Sequence, residues 1–136
     1  MKLSDLAPGA VIPGADAVDI NTGLYVVELP VTNDGEVPVH LTAHLHVFEA
    51  NPMLRFDRRR AFGMRPDVPA GMAVRFDPGE TLTVRLVPIG GGRIVRGFAG
   101  LVDGPLDAAD VDTLLTRAIA LGYRHEPSKS GPANAR

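Results

Sequence analysis

His40, His44 and His46 are three of the four histidines in the chain, and they fall within one short run. Imidazole is a versatile ligand for transition metals, and His44-x-His46 is a spacing that metal sites use on strands. Residues 37–51 read as one β-strand, along which successive side chains point to opposite faces. Val39, Leu41, Ala43, Leu45 and Val47 then take one face, and His40, Thr42, His44 and His46 take the other. The imidazoles of His44 and His46 would lie roughly 6–7 Å apart along such a strand. A metal normally takes three or four protein ligands. His40 is further off, Glu49 has the opposite parity, and no histidine occurs between His46 and His125. No metal ligand is therefore assigned. The row reads as a polar strand face whose histidines bond to backbone or to a partner.

The other chemistries that side chains could supply are thinly represented. The chain has no cysteine, which excludes disulfides, thiolate metal sites and cysteine nucleophiles. Its serines, Ser4, Ser128 and Ser130, all lie near the termini and do not form a buried triad. Asp57, Asp67 and Asp77 fall in loops without evident pairing. Gly90-Gly91-Gly92 lacks the lysine of a phosphate-binding loop and reads as a turn. Arg55, Arg58, Arg59, Arg60 and Arg65 make a locally basic stretch with Asp57 and Asp67 interspersed. Aromatic residues are only 5% of the chain, so a nucleic-acid interface lacks its stacking partners. The stretch reads as a solvated or protein-contacting loop. No catalytic residue is assigned. With a net charge of −2, neither nucleic acid nor an anionic membrane is an expected partner. The N-terminus lacks a signal-peptide core and no apolar run could span a bilayer. A soluble, cytoplasmic protein is expected.

The elements that would position these residues are mostly short strands. The chain's 136 residues fit one domain, and its 12 prolines and 15 glycines call for many turns. Residues 1–23 read as an irregular lead-in with one short strand at 17–20. Residues 24–32 read as a strand ended by the turn Asn33-Asp34-Gly35. Residues 53–71 read as a long basic connection. Residues 72–76 and 81–87 alternate in hydrophobicity around Asp77-Pro78-Gly79-Glu80, which predicts a β-hairpin over 72–87. A further strand is expected over 93–98. Beyond Pro105 the period changes: Val111, Leu114, Leu115, Ala118 and Ile119 follow one helical face. Asp107 is the expected cap, Asp110 a first-turn acid, and Gly122 the stop. The expected fold is all-β, a small barrel or sandwich of short strands with a C-terminal amphipathic helix. Its parts are a β domain over 1–106, the helix over 107–123 and a polar, flexible tail over 124–136.

Several longer motifs occur in a recognisable order. Asn51-Pro52-Met53-Leu54-Arg55-Phe56-Asp57-Arg58 is followed by Ala61-Phe62-Gly63-Met64-Arg65-Pro66-Asp67-Val68-Pro69-Ala70-Gly71. Then come Ala73-Val74-Arg75-Phe76-Asp77-Pro78-Gly79-Glu80, Leu86-Val87-Pro88-Ile89-Gly90-Gly91 and Gly97-Phe98-Ala99-Gly100-Leu101-Val102-Asp103-Gly104-Pro105. In this collinear order, over roughly residues 11–107, the chain resembles the urease β subunit family as a divergent member. It departs from the family's usual residues at Ala43, Leu45, Ala50, Pro66, Arg96 and Ala99. The resemblance implies a β-clip-like fold and a noncatalytic structural role in nickel-dependent urease, which hydrolyses urea to ammonia and carbamate. It implies that the nickel and the catalytic residues belong to a partner α subunit, and that this chain binds no cofactor. It also implies assembly with α and γ subunits into a trimer of heterotrimers. Within that frame His44, His46, Glu49, Asn51, Arg58 and Arg65 are the expected contacts to the α subunit. Two alternatives stay open: a divergent paralogue that acts as a protein-interaction module, and a cupin-like domain that binds a metal or small molecule.

Overall fold

The structure is a computed structural model, and it describes residues 6–128, 134 and 135. Its centre is β1 (Tyr25–Asn33), in which Val27, Leu29 and Val31 point inward while Glu28, Pro30 and Thr32 point out. The inward set meets Leu86, Val84 and Leu82 of β6 (Thr81–Pro88) in antiparallel register. Two apolar rows thus close on each other, which is how a strand pair with one buried face fixes its register. β3 (Leu54–Arg55) and β9 (Asn134–Ala135) pair with opposite ends of β1, and β4 (Met64–Pro66) pairs with β6. A separate small sheet joins β2 (Val39–Thr42) to β5 (Ala73–Phe76). Val39 and Leu41 of β2 and Phe76 of β5 pack with the β1 and β6 rows into one core. A last pair joins β7 (Ile94–Val95) to β8 (Gly104–Pro105).

The helix α1 spans Val111–Ala120. Its N-cap is Asp110, whose carboxylate accepts from the Thr113 N–H (3.3 Å) and the Thr113 hydroxyl (2.8 Å). Asp107, the expected cap, instead pairs with Arg93. Leu115 and Ala118 are buried on Phe48 and Leu101, which makes a second, smaller core. Gly122, at φ 93°, takes the left-handed turn that ends the helix. The expected all-β fold with one C-terminal helix is what the described residues form.

Three expectations about elements are corrected. The strand foreseen over residues 37–51 ends at Thr42, turns at Ala43 and His44, and enters a short 3-10 turn at Val47–Glu49. Four consecutive residues, Val47, Phe48, Glu49 and Ala50, are buried, which no two-fold alternation allows. The hairpin foreseen over 72–87 is a corner between sheets. Its turn forms, with Glu80 N–H donating to Asp77 O, but β5 pairs with β2 while β6 pairs with β1 and β4. Residues 17–20 are not a strand, and residues 54–55, 64–66 and 104–105 are short strands that alternation did not reveal.

The segment expected to be flexible from residue 124 is tied down as far as 128. Arg124 N–H donates to Pro52 O, His125 bridges Phe56, and Glu126 N–H donates to Phe56 O. Ser128 donates through both its N–H and its hydroxyl to Asp57, each at 3.0 Å. Asp34 accepts from Arg55 and Arg124 across the same seam, and the bond from Arg55 holds its carboxyl below the usual carboxylate range. The remainder of the expected tail, 129–133 and 136, and the first five residues of the lead-in lie outside the described residues.

Candidate functional site

Arg58 is the organising residue of this region. Its side chain is fully buried between the rings of Phe56 and Tyr123, with Cζ 4.4 Å and 5.2 Å from their centroids. All five of its N–H groups donate to main-chain carbonyls. Nε bonds Arg124 O, one terminal nitrogen bonds Phe48 O and Ala50 O, and the other bonds Asn51 O and Leu54 O. A guanidinium is a planar fork of donors, and here the fork is spent on gathering irregular backbone. Burial lowers its pKa to about 10, which still leaves it charged at neutral pH. The charge is offset by carbonyl dipoles and two ring faces rather than by a carboxylate. Through these five bonds Arg58 ties the 48–54 segment to the C-terminal seam.

His46 and Glu49 hold the same corner from the other side. The His46 ring is buried, and its Nε2 accepts from the Gly63 N–H at 2.8 Å. The proton therefore sits on Nδ1, which donates to Glu49 Oε2 at 2.8 Å. Glu49 Oε1 accepts from the Leu101 N–H at 2.9 Å. One carboxylate thus ties the 3-10 turn to the loop that precedes β8. The rings of Phe48 and Phe62 pack around His46, 5.8 Å and 5.2 Å from its centroid.

The six residues expected at a partner contact divide into two groups. His46, Glu49 and Arg58 are inside the chain, with their polar atoms bonded to it. His44, Asn51 and Arg65 reach the surface, the last only in part. The single polar face of three histidines does not exist: His40 and His44 are exposed while His46 is in the core. His44 stacks on Phe98, with ring centroids 6.3 Å apart and planes at 30°. Asn51 Oδ1 caps the next turn by accepting from Met53 N–H. Arg65 donates to Asn21 Oδ1 at 2.6 Å.

These positions do not fit a metal. Both ring nitrogens of His46 are occupied, and Nδ1 of His125 accepts from the Arg58 N–H at 3.1 Å. Among the described residues no group of three His, Cys, Asp or Glu side chains converges as a metal site needs. No helix among them is long and apolar enough to cross a membrane.

Sequence reasoning missed His125, Tyr123 and Phe98. Burial, with some help from Arg58 and Arg59, outweighs the attraction of Asp57 and holds the His125 ring below its ordinary pKa. No local pattern marks His125 or Tyr123, because their partners lie more than sixty residues earlier. Phe98 lies between Gly97 and Ala99-Gly100, and an aromatic residue amid small ones in a loop was a signal that could have been read.

A family model described as urease beta subunit matches residues 8–105 of the chain. The urease subunit gamma/beta of Streptomyces coelicolor is 58% identical over 122 residues, 89% of this chain and 52% of that protein. The chain thus spans about half the length of the gamma/beta relatives it matches. The urease subunit beta of Haloquadratum walsbyi is 49% identical over 125 residues, 91% of this chain and 99% of that one. That of Haloarcula marismortui is 49% identical over 118 residues, covering 87% and 85%.

Proposed function

The chain belongs to the urease beta subunit family, and on that premise we propose that it is the structural, noncatalytic subunit of a nickel-dependent urease. In this reading the hydrolysis of urea to ammonia and carbamate takes place in a partner α subunit that holds the nickel. The present chain acts in the cytoplasm as a scaffold between α and γ subunits, in a trimer of heterotrimers. The observation that carries the reading is the family match along nearly the whole β domain, at 45–58% identity to relatives.

The geometry supports a scaffold. A subunit that positions others needs a surface whose shape does not drift, and irregular loops supply one only when their backbone is pinned. Here Arg58, His46 and Glu49 pin the 46–58 segment, the 97–103 loop and the C-terminal seam to each other. The members of the expected set that reach the surface, His44, Asn51 and in part Arg65, are then the direct contacts, and the buried members hold them in place. Co-expression with tagged urease α and γ chains tests this. Retention of the present chain on the α tag through stringent washing supports the reading, and its recovery free of α refutes it.

A further inference from the structure

The segment that follows α1 is held to the body in a way the core is not. Arg124–Ser128 crosses the 52–60 segment as a strap between α1 and β9. Arg124 N–H donates to Pro52 O, Glu126 N–H to Phe56 O, and Ser128 N–H to the Asp57 carboxylate. In return Arg58 gives its main-chain N–H to His125 Nδ1 and its Nε–H to Arg124 O. None of the strap's side chains is buried: His125 and Ser128 are half-buried, and Arg124, Glu126 and Pro127 are exposed. Attachment by polar bonds without buried apolar surface is what lets a segment open locally, well below the free energy of global unfolding. The ion pairs on its rim, Arg55 with Glu126 and Arg124 with Asp34, each have an exposed partner and add little.

The hinge is built in. Gly122 takes φ 93° at the end of α1, and Tyr123 N–H bonds Ala118 O, so Tyr123 stays with the helix and keeps its ring on Arg58. Movement begins at Arg124. On the far side only the two-residue pairing of Asn134 and Ala135 with Val26 and Tyr25 follows among the described residues. Lifting the strap takes Arg124 O from Arg58 but leaves its bonds to Phe48, Ala50, Asn51 and Leu54, so the 48–54 segment stays gathered.

We propose that Arg124–Ser128 is a strap that acid lifts from the body while the sheets stay folded, with protonation of His125 as its release. Facing that ring are Asp57, Arg58 and Arg59 from the segment beneath, and Arg124 and Glu126 flank it in the chain. Along the seam lie Asp34, Arg55 and Arg60, and Asp112 of α1 pairs with Arg59. Nδ1 must be unprotonated to accept from the Arg58 N–H, so the closed strap holds the neutral ring. Burial, aided by Arg58 and Arg59, keeps the folded pKa below its ordinary value against the pull of Asp57 and the Phe56 main chain. In the lifted strap the ring returns to about 6.5. Lifting therefore takes up a proton and is favoured as pH falls below about 6.5. Asp34 keeps its charge over that range, because the bond from Arg55 holds its carboxyl below the usual carboxylate range.

Amide exchange of the full chain, followed by NMR at about pH 7.5 and about pH 5.5 and referred to unstructured-peptide rates, tests this. Protection at the Arg58, Arg124, Glu126 and Ser128 amides falls by about tenfold or more at the lower pH, the worth of one hydrogen bond. The amides of β1 and β6 keep theirs. His125→Gln supplies an acceptor that does not titrate, and in it the fall disappears. The His125 ring titration in the parent chain reads the same event without a variant, and its midpoint coincides with that of the exchange. Seam amides that stay protected, a loss shared equally by β1 and β6, or a fall that persists in His125→Gln overturns the proposal. If the variant's seam is open at both pH values, the ring titration decides, and midpoints that differ overturn it.

Discussion

At the scale of single residues, the account depends on Arg58 and His125 meeting across the seam. Arg58→Lys keeps the charge but offers three donors in place of five, from a single point rather than a planar fork. At least two buried carbonyls then lose their partner, and stability falls by about 2–4 kcal/mol. A urea midpoint shifted without a change in slope checks this. His125 makes the seam sensitive to pH. Its folded pKa lies below its unfolded value, so as pH falls through about 6.5 the unfolded chain takes up a proton that the folded chain resists. Stability therefore drops as pH falls from about 7 through the folded pKa, as protonation of Nδ1 would forfeit the Arg58 N–H bond. Urea melts along that pH range give the slope, and His125→Gln flattens it. An unchanged slope in that variant means that other groups carry the titration. None of this was legible in the sequence. Arg58 is one of several arginines in a basic loop, and nothing local shows that its donors turn inward.

At the scale of elements, what was legible was alternation, and what was not was pairing. Val27, Leu29 and Val31, and likewise Leu82, Val84 and Leu86, announce strands because one face of each is buried. The turn at residues 77–80 announces a reversal, but a reversal between adjacent strands need not be a hairpin. Each strand found a better apolar partner elsewhere, β5 with β2 and β6 with β1. The histidine run misled for a related reason. Its alternation is real over Val39–Thr42, and then the chain turns so that Val47 enters the main core and Phe48 the helix-side core. The end of the alternation was not marked in the sequence, because Glu49 reads as an outward polar position and yet is buried with its neighbours. The helix was legible from its period, and its buried face is narrower than expected, since Ile119 stays half-exposed. Leu115→Ala removes a buried contact with that second core and costs about 2–4 kcal/mol, read from chemical denaturation. A cost near zero shows that α1 is peripheral to stability.

At the scale of the whole molecule, one five-stranded sheet, two two-stranded sheets and a helix are held together by a seam that joins distant parts of the chain. Residues 46–58, the 97–103 loop and the 124–128 segment meet through Arg58, Glu49 and Asp57. The region is pinned by side-chain bonds to irregular backbone, which is what the scaffold role proposed above requires. Family membership supplies what those neighbours are proposed to be, and the order of motifs along the chain made that legible before any geometry was known. The most direct test is native mass measurement of the complex recovered through tagged urease α co-expressed with γ and this chain. The account predicts equal numbers of the three chains, in multiples of three. An α–γ assembly that forms without this chain, with this chain eluting alone, contradicts it.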